Sequence, residues 1–398
     1  MLSDSNGSPF LYQLSIACLL IANICFYTLS TVLVYLTLCA AGLVAPVLLW
    51  VREQRRARQG FRITGAFVWL SVIYVLFVTY GVCFLRHGDF NLDMIVLAFV
   101  SNAILLIDLR GVLKAGSLSS LATPIAGVVF VCIGYVVVLG ALGVQVFDKG
   151  RLGAGLSGNV NSVGVAMGIM SLLLTYFFMS ERTRLTFFAL VCAVLFGLLT
   201  GSKKAFIFFV FSAIIIVLMS RRPISMAIRV SVVGVILCVA VLAFPPLYNA
   251  MGHRIVEMLS QLFGIGGQYS FSTESRLGMI EEGFRIYWDF PFFGGGEKYF
   301  AAKSEWGYDY SHCNYIEVLC NFGLFGFLCF YLPLFRNFII ALSNPGIKRA
   351  HRVLCACLLG ASLVSQWTMV VYSETCVMFL PLLISFVLTE KVKRNWFC

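Results

Sequence analysis

From Phe10 to Trp50 the chain runs 41 residues without one Asp, Glu, Lys or Arg. As a single helix that stretch would be about twice as long as a bilayer's hydrocarbon is thick, so it reads as two spans with a tight turn near 27–31. Similar apolar runs recur, and the twelve segments fall near 10–28, 31–50, 63–85, 92–107, 122–146, 161–179, 185–200, 205–219, 228–247, 314–341, 353–372 and 375–388. In hydrocarbon every backbone N–H and C=O must be paired within the protein. Runs of about 20 apolar residues meet that demand as helices rather than as barrel strands. A chain that is 60% hydrophobic and only 12% charged needs such an environment. The expectation is an all-α integral membrane protein with about 12 transmembrane helices, one polytopic domain over 1–398, and a single long loop, 248–313, carrying short helices.

The net charge of +11 is first a question of where the charges sit. With the N-terminus in the cytoplasm, alternate loops hold eighteen basic residues, from the cluster Arg52, Arg55, Arg56, Arg58 and Arg62 to Lys391, Lys393 and Arg394. The other side holds ten, five of them in the long loop, which reports orientation poorly. Both termini are therefore expected inside, the first ten residues lack the basic region and cleavage site of a signal peptide, and nucleic acid is not an expected partner. Most of the fourteen cysteines lie inside apolar runs as small hydrophobes, and there is no C-x-x-C. Membrane lipids are the surroundings.

Within the long loop, Ile255, Met258, Leu259 and Leu262 have the spacing of an interfacial amphipathic helix. After a G-I-G-G hinge, Ser272 or Thr273 is placed to cap a second helix that lies on the bundle as a lid. Its apolar stripe would be Leu277, Ile280, Phe284 and Trp288. Pro291 and the glycines 294–296 then end it. There is no internal repeat, which counts against a repeat-built transporter or flippase. The apolar cores also carry almost no ionisable residues, whereas polar groups gather at one face.

Four clusters fall on the side opposite the basic loops: G-R-L-G-A-G-L-S-G-N-V-N-S-V-G (150–164), L-T-G-S-K-K-A-F (199–206), the helix with its glycine turn (273–296), and H-C-N-Y-I-E-V-L-C-N-F-G-L-F-G (312–326). Arg151, Lys203, Lys204 and Arg276 are cations suited to phosphate oxygens. Thr200 or Ser202 can cap the helix that the lysines open, and a helix N-terminus favours an anion. Lysines there oppose the dipole, which hints that an anionic ligand supplies the missing charge. His312 can donate to a phosphate when protonated or take a proton from a sugar hydroxyl when neutral. Asn314, Tyr315, Glu317 and Asn321 enter a span, where polar groups usually face a cavity or each other. Gly323 and Gly326 read as positions of close helix packing. Glu281, Glu282 and Asp289 are candidate carboxylates, although Glu282 and Arg285 also fit an exposed ion pair. No D-x-D-like pair stands on this face, so neither a metal nor a cofactor is expected.

In this order, R-x-G…N-x-N, T-G-S-basic-basic-A, R…P…G-G-G and H-x-N-Y before G-x-x-G, the chain over roughly 150–330 resembles the O-antigen ligase and Wzy-type polymerase superfamily of bacterial envelope glycan assembly. The resemblance implies a GT-C-like helical fold and a site facing the periplasm from the bacterial inner membrane. It also implies transfer of an oligosaccharide from undecaprenyl pyrophosphate, and the company of a chain-length regulator protein. On this likeness Arg151, Lys203 and Arg276 would hold the pyrophosphate, with Lys204 and Arg285 nearby. His312 would orient it or activate the acceptor, and Asn161, Asn314, Tyr315 and Glu317 would shape the pocket. One departure stands out: members commonly carry Arg where this chain has Lys203, which keeps the charge and loses the fork. The wording of the motifs is closer to polymerases, with ligation to lipid A core as the alternative.

Overall fold

The computed structural model describes residues 7–25, 51, 64–83, 92–115, 117–148, 151–153, 160–245, 248, 252, 256, 260, 271–308, 310–371 and 376–393. Thirteen α-helices occur among them. They are α1 (Gly7–Cys25), α2 (Gly65–Cys83), α3 (Leu92–Ala115), α4 (Ala122–Ala141), α5 (Val160–Glu181), α6 (Arg184–Leu199), α7 (Lys203–Met219), α8 (Pro223–Ala243), α9 (Phe271–Tyr287), α10 (Tyr299–Lys303), α11 (Asn314–Ser343), α12 (Arg349–Ser365) and α13 (Cys376–Lys393). A two-residue antiparallel pair, β1 (Phe147–Asp148) and β2 (Arg151–Leu152), sits between α4 and α5.

Eleven of the twelve apolar segments carry a helix, and 31–50 lies outside the described residues. Among the described residues, five helices are long and apolar enough to cross a bilayer: Ile95–Lys114, Leu118–Ala141, Val160–Glu181, Pro223–Ala243 and Asn314–Ser343. Shorter apolar helices stand beside them at Phe10–Cys25, Gly65–Gly81, Arg184–Leu199 and Cys376–Glu390. The amphipathic stretch around Ile255, Met258, Leu259 and Leu262 and the G-I-G-G hinge are outside the described residues.

At the centre is α5, buried along almost its whole length from Val160 to Phe177. Its glycines explain how α7 comes so close. A Cβ on Gly164 would stand 2.5 Å from the side chains of Thr200 and Ser202, and one on Gly168 would stand 3.0 Å from Phe208. Without a hydrophobic drive between helices in lipid, such close backbone approach is what van der Waals packing needs.

Two expectations change here. The stretch that follows the apolar segment 92–107, expected as a loop between two spans, is mostly helix, because α3 continues to Ala115. Asp108, fully buried, accepts a 2.5 Å hydrogen bond from Ser15 Oγ of α1. Arg110 pairs with Glu390 of α13, whose other oxygen accepts from Ala66 N at the start of α2. A buried ionisable group is tolerated when a neighbouring helix partners it, and a hydropathy window that stops at the first carboxylate cannot see that partner.

The second change concerns 314–341, which reads as one uninterrupted span. Inside α11, Gly323 adopts φ 64 and ψ −167, a region open only to glycine, and the helix breaks there. The segment 291–296 repairs the break. Gly295 N and Gly296 N donate to the carbonyls of Cys320 and Asn321, both at 3.0 Å. Leu324 N and Phe325 N donate back to Pro291 O and Phe292 O, at 2.8 and 2.9 Å. Four backbone groups released by the break thus find partners in the glycine turn, as irregular backbone inside a span requires. Gly323 is therefore a backbone crossing point with Gly294 rather than a helix–helix contact.

Candidate functional site

The first two clusters form one knot. Arg151 Nε donates to Thr200 O at 2.8 Å, and Arg151 Nη2 donates to Asn161 Oδ1 at 2.6 Å. Ser202 Oγ donates to Asn161 O at 3.5 Å. The hairpin, the start of α5 and the T-G-S turn are tied together by a guanidinium that bonds two of them at once. Lys203 and Lys204 follow as the first residues of α7, half-buried. The expected side-chain cap is absent: Ser202 is the N-cap but makes no capping bond, and Thr200 Oγ1 instead accepts from Ser202 N and donates to Gly197 O. The reason is local, since Ser202 is turned toward α5 at Gly164.

The last two clusters join through apolar packing. Met279 and Ile286 of α9 meet Phe300 of α10 and Ile316 of α11, with Gly283 directly against Ile316. Of the stripe expected to face the bundle, only Ile280 does so, packing against this cluster. Leu277 is 50% exposed, Phe284 47% and Trp288 71%, while Ser275, Met279, Glu282 and Ile286 point inward. Glu282 is not half of an exposed ion pair: it is buried, accepting from Ser304 Oγ at 2.6 Å and Glu305 N at 2.8 Å. Two hydrogen bonds from the chain leading away from α10 outweigh what an exposed pair with Arg285 offers. Arg285 itself is exposed.

His312 is where the two halves meet. Its backbone has φ 58, uncommon for a residue with a side chain and a strain of about 1–3 kcal/mol that the surroundings must hold. Its Nδ1 is buried with no hydrogen-bond partner among the described residues. Burial first, then the positive charges of Arg276 and of Lys204, push the imidazole down to about 4. Arg276 of α9 and Lys204 of α7 are thus both near enough for their charges to act on His312.

Not every polar residue at the head of α11 faces this centre. Asn314, fully buried, donates to Tyr331 Oη at 2.7 Å and Gln366 Oε1 at 2.9 Å and accepts from Val371 N at 2.7 Å. Tyr315 Oη donates to Leu363 O at 2.8 Å. Glu317 accepts from Ser311 N at 2.7 Å and Asn321 Nδ2 at 3.2 Å, which fixes the chain just ahead of His312. Asn314 to Ala should therefore lower stability by about 2–4 kcal/mol, since several buried partners lose their bonds together. A thermal midpoint unchanged from wild type would contradict that. Glu297, whose charge acts on Glu317, carries no signal in the sequence: one carboxylate oxygen is buried without a partner among the described residues, and burial raises its proton affinity.

No curated protein matches the chain. Residues 188–331 carry the Wzy_C domain, described as O-Antigen ligase, a stretch that runs from α6 through the T-G-S turn, α9 and His312 to beyond the break in α11. Over residues 188–331 the chain is therefore similar to the O-antigen ligase, Wzy_C, family.

Proposed function

We propose that this protein is a surface polysaccharide polymerase: it transfers a glycan from undecaprenyl pyrophosphate to a sugar hydroxyl of another lipid-linked repeat unit. The observation that carries this reading is His312, its Nδ1 buried without a partner among the described residues and its charge opposed by Arg276 and by Lys204, which follows the turn that Arg151 holds. A neutral imidazole accepts the acceptor's proton as the hydroxyl oxygen attacks the anomeric carbon. The bond to the pyrophosphate oxygen breaks, and the leaving group departs with the electron pair while Arg276, Lys203 and Lys204 offset its growing charge. Arg151, already committed to Thr200 and Asn161, is a positioning residue that holds the turn from which the lysines project.

Polar groups gathered at one end favour chemistry there over passage through the bundle. In this reading about 12 helices cross the bacterial inner membrane, both termini are cytoplasmic, and the site opens to the periplasm. The description of the matched domain supports a second reading, ligation of the glycan to lipid A core. Purified protein supplied with lipid-linked repeat units alone separates the two. Longer chains support the polymerase, product that forms only when lipid A core is added supports the ligase, and no product in either mixture overturns both.

A further inference from the structure

Ahead of His312 the sequence reads W-G-Y-D-Y-S-H, with an aromatic ring at every second position. The rings stay accessible: Trp306 is 40% exposed, and Tyr308 and Tyr310 are each 39% exposed. Two of them turn onto the histidine. The Tyr310 ring centroid lies 4.3 Å from that of His312 and the Tyr308 centroid 5.8 Å away, both edge-on. Trp306 lies over Gly278, where a Cβ would come within 2.4 Å of its ring, on the same helix that carries Arg276. Gly307, at φ 67, turns the chain between Trp306 and Tyr308.

We propose that Trp306, Tyr308 and Tyr310 form a saccharide platform that holds pyranose rings beside His312. This rests on the glycan-transfer reading above. Large rings left in contact with solvent mark a binding surface when they are contiguous. Tyr and Trp suit this one because each offers a flat apolar face with a polar edge at low cost in side-chain entropy. A pyranose presents the complement, a face of C–H bonds rimmed by hydroxyls. Aromatic side chains at a membrane surface can instead serve as an interfacial belt. A belt spreads outward toward lipid, whereas Tyr308 and Tyr310 pack on the imidazole. The sugars held could be those of the donor or of the acceptor, and both have the same chemistry.

The test uses the full chain in lipid nanodiscs, with two probes: the intact lipid-linked repeat unit, and the same oligosaccharide released from its lipid by mild acid. Binding is measured by calorimetry, and chain extension is measured separately. Trp306 to Leu and Tyr308 to Leu should each weaken glycan binding about tenfold, roughly the effect of one stacked ring. Trp306 to Phe and Tyr308 to Phe should stay near wild type, and the loss in extension should fall on KM rather than on kcat. Weakening seen with both probes shows that the platform grips the sugars on their own, and weakening confined to the lipid-linked unit shows that it grips them only once the lipid pyrophosphate is anchored. Either result supports the proposal. Leucine variants that bind both probes like wild type, or leucine and phenylalanine variants that fall alike, overturn it. Wild-type protein that binds glycan but extends none would instead sink the glycan-transfer reading and leave the platform standing.

Discussion

His312 to Ala should reduce glycan extension by about 10²- to 10⁴-fold, the usual contribution of a positioned acid–base group. The fold should survive, because the ring's Nδ1 bonds to no described residue and the turn ahead of α11 is held by Glu317 and Ser311. Helical content and melting close to wild type, with extension lost, is the expected pair of results. Normal chain lengths from the variant would remove His312 from the chemistry. The pH profile carries the sharper information. With its pKa pushed down to about 4 by burial, Arg276 and Lys204, the free protein's imidazole is already neutral at pH 5. The acid limb of kcat/KM should therefore lie near 4, with a plateau through neutrality, instead of at the ordinary value of about 6.5. In the proposed reaction the donor's pyrophosphate brings negative charge to the same spot, so the limb of kcat should lie higher than that of kcat/KM. Stability follows the same sign. Between pH 6.5 and about 4 the unfolded chain takes up a proton that the folded site refuses, so this site's share of stability falls as pH drops through that window and levels off below it.

Gly323 to Ala should cost several kcal/mol and depress the thermal midpoint and the yield of inserted protein. At φ 64 and ψ −167 an alanine is strained by about 1–3 kcal/mol. Its Cβ would also lie 2.5 Å from Gly294 N and from the carbonyl of Phe292, backbone atoms that cannot swing aside, adding about 1–3 kcal/mol more. Gly294 to Ala meets the same barrier from the other side, since its Cβ would strike Gly323 N and Asn321 O at 2.5 Å. Gly234 to Ala in α8 is the control: nothing lies within 4 Å of a Cβ there, so it should melt at or slightly above wild type. If Gly323 to Ala melts like that control, the crossing of the two backbones is not what holds α11 in its broken form.

The helical bundle was legible because hydropathy at the scale of a bilayer leaves few alternatives, and eleven expected segments hold helices for that reason. Arg151 bonds to Asn161 and Thr200, which joins two of the four polar clusters that the sequence sets on one side, and the charges of Arg276 and Lys204 act on His312. What hydropathy could not convey was direction around an axis. Leu277, Phe284 and Trp288 make a good apolar stripe, yet α9 turns them outward, because Gly283 lets Ile316 approach the opposite face and Glu282 finds partners there. In a membrane protein an apolar face has two acceptable neighbours, lipid and protein, so apolarity alone does not choose between them. The break at Gly323 was invisible for a related reason: its partner, Gly294, lies in another cluster, and only contact between the two gives either glycine its meaning. The aromatic alternation from Trp306 to His312 was readable in the sequence but is easily mistaken for ordinary loop composition.

The pairing of 291–296 with the interrupted α11 also limits how the protein can move. Lifting that turn away would strand four amide and carbonyl groups in a poorly hydrated place, at a cost of at least a few kcal/mol for each. Thermal fluctuation does not supply that within a catalytic cycle. This stretch of the long loop is thus a fixed wall beside the head of α11, and in the proposed reaction a substrate must enter past some other side.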